Sequence, residues 1–79
     1  MIQADDPEAQ GRLAYTRGLV AWYRGAIEDA DGLFRRALEL ATKANDLVEQ
    51  GAVATALGLV SHRRGELDSA VEHLSLIHI

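Results

Sequence analysis

The chain has 79 residues, a net charge of −4, 48% hydrophobic and 5% aromatic residues, and no cysteine. It is at most one small domain with little surface to bury, and disulfide frameworks and cysteine-based zinc sites are excluded. The negative balance argues against a phosphate-backbone binder. No apolar run approaches the roughly 20 residues that span a bilayer, and residues 1–6 lack the basic and apolar parts of a secretion signal. With no cysteine, a reducing cytoplasm is the expected setting.

Taken in chain order, Asp6-Pro7-Glu8 is a helix start: a capping carboxylate, a proline at the first helical position and an acid in the first turn. The first helix is expected to run to about Arg24, with Leu13, Ala14, Gly18 and Ala21 on its apolar stripe, and to break at Gly25. A second helix is expected from about Ala26 to Ala44, with Ile27, Ala30, Phe34, Ala37, Leu38 and Ala41 at helical spacing. Asp31 with Arg35 and Glu39 with Lys43 are favourable acid-first pairs on its surface. Asn45 reads as a stop, and Asp46 with Glu49 as a capping box for a third helix carrying Val53, Ala54, Leu57 and Gly58. A break is predicted at Gly65, and a fourth helix from about Glu66. The fold class is therefore all-α, about four helices in antiparallel hairpins joined by short turns.

The hairpins repeat. Shifted by 40 residues, Gly11 falls on Gly51, Ala14 on Ala54, and Gly18-Leu19-Val20 on Gly58-Leu59-Val60. Arg24-Gly25 falls on Arg64-Gly65 and Ala30 on Ala70, while Ile27 with Leu67, Glu28 with Asp68, and Phe34 with Leu74 are conservative matches. Glycine inside a helix costs about 1 kcal/mol against alanine, so Gly18 and Gly58 in register point to places where paired helices touch closely. The repeats are read as residues 7–44 and 46–79, the second one truncated.

The succession Gly18, Gly25, Ala30, Phe34, Ala37-Leu38, echoed by Gly58, Gly65, Ala70 and Leu74, resembles the tetratricopeptide repeat. The long period is similar to the variety found in large bacterial signalling ATPases and transcriptional activators of the maltose-regulator type. Ala14 and Ala54 replace that family's early tryptophan, Ala21 and Ser61 its later aromatic, and its proline between repeats is missing. The resemblance implies an α-solenoid, a right-handed superhelix of stacked hairpins. It implies a concave partner-binding stripe at Arg12, Tyr15, Leu19, Trp22 and Tyr23, then Thr55, Leu59, His62 and Arg63. A separate resemblance concerns Leu74-Ser75-Leu76-Ile77-His78-Ile79, which looks like translated sequencing-adapter read-through and marks the chain as a fragment of a longer array.

Tyrosine, tryptophan and arginine are the residue types enriched at binding hot spots. The plainer alternative is that Leu19 and Trp22 pack against a neighbouring repeat. Arg35-Arg36 and Arg63-Arg64 read as solvated helix faces among acids, and His62, His73 and His78 lack metal-ligand spacing. Phosphate-binding, zinc-hydrolase and nucleophile-elbow motifs are all missing from the sequence. The expectation is a scaffold for a protein or peptide, without catalysis, cofactor, metal, membrane or direct nucleic-acid contact, and prone to self-association through exposed repeat ends. The alternative is a ligand-sensing segment of a large regulator.

Overall fold

The computed structural model describes residues 6–77, and for Leu76 and Ile77 the backbone alone. Three helices succeed one another: α1 (Pro7–Tyr23), α2 (Ile27–Lys43) and α3 (Leu47–Ile77). Their local causes are chemical. Asp6 accepts from the Glu8 N–H at 2.9 Å and Pro7 opens α1. Asp46 accepts from the Glu49 N–H at 3.1 Å and opens α3.

The two chain reversals share one construction. Gly25 (φ 79°) and Asn45 (φ 55°) sit in the left-handed region. At the first, the Gly25 N–H donates to the Trp22 carbonyl and the Ala26 N–H to the Ala21 carbonyl. At the second, the Asn45 N–H donates to Thr42 and the Asp46 N–H to Ala41. Each reversal thus satisfies two of the carbonyls that a helix end leaves orphaned.

The expected break at Gly65 does not occur, and α3 runs straight through it, so the described residues form three helices instead of four. The reason lies beside the glycine. At the first turn Ala26 pairs with Ala21, whereas the corresponding positions are Glu66 and Ser61, which lack the apolar contact that accompanies such a stop. Glu66 instead reaches back across Gly65 to His62 (3.1 Å) and Arg63 (3.7 Å), contacts made only when the helix continues. The predicted second repeat is therefore the long α3 alone, and residues 78–79 of that repeat lie outside the described residues.

The core sits between the α1–α2 hairpin and the first half of α3. Gly11, Ala14, Gly18 and Ala21 form the buried side of α1, and Ala30, Phe34, Ala37, Leu40 and Ala41 that of α2. Leu13, expected on the buried stripe, is 50% exposed, because Gly11 and Ala14 press α1 onto α2 along the neighbouring face. In α3 the buried residues are Val53, Ala56 and Val60, with Leu57 partly covered. Ala54 and Gly58, expected inside, are exposed: they match the α1 residues that face a paired helix, and no helix folds back onto α3 among the described residues. Beyond Arg64 every described side chain of α3 is exposed, and the molecule measures 60 × 20 × 14 Å.

Candidate partner-binding face

α3 runs in the same direction as α1, and the two are tied into the hairpin at both of its ends. At one end Arg12 lies 3.0 Å from Glu8, 3.6 Å from Asp46 and 3.6 Å from Glu49. Its guanidinium faces the buried Oδ2 of Asp46, which accepts no hydrogen bond there. Arg12 thus ties the start of α1 to the start of α3.

At the other end Arg64 forks onto Glu28 of α2, Nε to Oε1 at 3.1 Å and Nη2 to Oε2 at 2.7 Å, with Asp31 3.6 Å away. The Glu28 hydrogen bonds hold the Arg64 guanidinium above its ordinary pKa. Asp31 also receives Arg35 at 2.9 Å, the pair expected from the sequence. Glu39, expected to pair with Lys43, meets Arg36 at 3.6 Å.

Beside this clamp the structure brings together three of the nine residues proposed for the concave stripe. Trp22, Tyr23 and Arg63 line a shallow notch of about 400 Å³, together with Gly25, Ile27 and Leu67. Tyr23 is 84% exposed, an unusual state for a large aromatic side chain. Trp22 is half-buried and leans on the core, so it serves packing and the notch at once.

The remaining six lie elsewhere. Tyr15 and Leu19 are half-buried against the core, the Tyr15 ring tilted 44° to Phe34 with centroids 5.8 Å apart. Arg12 is engaged in its ionic clamp. The Thr55 hydroxyl donates to the Gly51 carbonyl of its own helix at 3.0 Å. Leu59 is 53% exposed, and His62 pairs with Glu66. Sequence reasoning missed Ile27 and Leu67 as lining residues. Their register match, one repeat apart, was the available signal.

Among the described residues no group of three or more His, Asp or Glu side chains is placed to hold a metal ion. No described helix is long and apolar enough to cross a membrane. Comparison with protein-family models, curated proteins and solved structures gives no match.

Proposed function

We propose that this chain is a helical-hairpin scaffold of the tetratricopeptide type, a segment of an α-solenoid that captures a protein or peptide in the notch between α1 and α3. The single observation that carries the reading is Tyr23, an almost fully exposed aromatic held beside Trp22 and Arg63 by the glycine turn. An aromatic pair with an adjacent guanidinium and a floor of Ile27 and Leu67 offers an apolar anchor site and one positive charge. The matching occupant is a peptide with an aliphatic or aromatic side chain next to a carboxylate. The internal repeat supports the solenoid assignment, and the sequence carries no nucleophile, metal or phosphate motif that points to catalysis instead.

Selection of displayed peptides on the immobilised chain tests this. Enriched peptides are expected to share an apolar–acidic pair and to lose about tenfold or more in affinity on Tyr23→Ala or Arg63→Glu, the scale of a hot-spot truncation. Absence of enrichment, or enriched peptides indifferent to both substitutions, would overturn the proposal.

A further inference from the structure

The 40-residue register, laid over the packed helices, exposes two halves of an interface whose complete form already exists inside the chain. α3 packs chiefly on α2, and its buried residues there are Val53, Ala56 and Val60, finished by the Arg64–Glu28 fork. One repeat earlier these four positions of α3 are Leu13, Thr16, Val20 and Arg24 of α1, and all four are exposed. Leu13 and Val20 border open grooves of about 300 and 600 Å³ along the seam between α1 and α2, the larger one reaching Arg24.

The other half is the distal arm of α3. Ile27, Glu28, Asp31 and Phe34 of α2 become Leu67, Asp68, Val71 and Leu74 one repeat later. Leu67, Val71 and Leu74 are 42%, 64% and 54% exposed, on one side of the helix at spacings of four and three. Asp68 is exposed as well and stands where Glu28 receives Arg64. The chain therefore displays an uncovered copy of the α3-type face on α1 and an uncovered copy of the α2-type face on the arm.

Among the described residues these two faces do not meet, because the arm leaves the hairpin tip as a straight continuation of α3 while the α1 face lies along the flank of the hairpin. We infer that the occupant of the Leu13–Val20–Arg24 face is the arm of a second copy of this chain, with Arg24 on Asp68 and Leu67, Val71 and Leu74 covering the apolar stripe. The contact repeats the α2–α3 packing between molecules. It joins unlike surfaces, so each pair of copies keeps one free arm and one free α1 face, and association proceeds head to tail into longer oligomers unless a ring closes. The α1 face is separate from the Tyr23 notch; the arm shares only Leu67 with it, and the charge variants below leave every notch-lining residue intact, so failure of one proposal is distinguishable from failure of the other.

Charge reversal gives a test with internal compensation. Sedimentation velocity of the full chain over a concentration series is expected to show reversible growth beyond a dimer. Arg24→Glu places an acid against Asp68, and Asp68→Arg places a cation against Arg24. Either substitution alone is expected to weaken association about three- to tenfold, with unchanged helical circular dichroism because both side chains are solvent-exposed. Mixing the two variants restores pairing between unlike copies, since the Arg24 of one variant then meets the Asp68 of the other. Val71→Lys removes association without a charge partner to rescue it. A parent that stays monomeric throughout the series overturns the inference, as does association that neither charge variant changes or that the mixture fails to recover.

Discussion

The Phe34 ring lies in the space that a side chain on Gly18 would need: a Cβ built there would stand 2.5 Å from Phe34 Cε1. Phe34 is 1% exposed, the largest fully buried side chain, and Tyr15 leans on it from the side. Phe34→Ala is expected to cost about 3–5 kcal/mol, as large-to-small changes at buried aromatics do. That rivals the whole stability of a domain this small. Urea titration monitored by circular dichroism is expected to lose its cooperative transition, and a sharp transition in the variant would move the centre of the core away from Phe34.

The same contact separates two glycines that the sequence treats alike. Gly18→Ala drives a methyl into a buried ring and is expected to cost about 1–3 kcal/mol. Gly58 has nothing within 4 Å of its notional Cβ, so Gly58→Ala is expected to gain up to about 1 kcal/mol from helix propensity. Thermal melts of the two variants shifting in opposite directions would verify the pair. Equal shifts would mean that α3 buries Gly58 after all.

Gly25 and Gly65 form a second such pair. At Gly25 the backbone is left-handed, and Gly25→Ala is expected to destabilise by about 1–2 kcal/mol. Gly65 is helical with open space around it, so Gly65→Ala is expected to stabilise by up to about 1 kcal/mol and to slow amide exchange through residues 62–69. Destabilisation by Gly65→Ala would show that the chain turns there in solution.

Asp46 caps α3 through the Glu49 N–H and faces Arg12 from a largely covered position. Asp46→Ala removes both interactions, and loss of the cap alone is expected to cost about 0.5–2 kcal/mol. Asp46→Asn keeps a capping oxygen while discharging the group, so most of that stability should return. If the asparagine variant melts like the alanine one, the Arg12 contact and not the cap is what holds the junction.

The starts of α1 and α3 were legible because each is written in neighbouring residues: Asp6 before Pro7, and Asp46 three residues before Glu49. The stops at Gly25 and Asn45 were legible for the same reason. Gly65 misled because a stop depends less on the glycine than on its successor in the chain, and Glu66 finds better partners in His62 and Arg63 than a turn would offer. That one difference also misplaced Ala54 and Gly58, whose burial required a helix folded back on α3. Within the candidate site, Trp22, Tyr23 and Arg63 were suggested by the resemblance to the tetratricopeptide stripe, and the structure brings those three to one notch. The engagement of Arg12 was not legible, because Asp46 and Glu49 reach it only once two turns have brought the third helix alongside the first.

The unbroken passage of α3 through Gly65 has a mechanical consequence. From Glu66 to Ile77 the helix rises about 18 Å past its last anchored residue, at about 1.5 Å per residue. It is a lever whose fulcrum is the Arg64–Glu28 fork. A tilt of about ten degrees at that fulcrum sweeps the tip through about 3 Å, by the same rise per residue. Leu67 stands just outside the fulcrum and lines the same notch as the chain's single tryptophan, so a tilt of the arm is expected to change the surroundings of Trp22, and its fluorescence is the natural reporter.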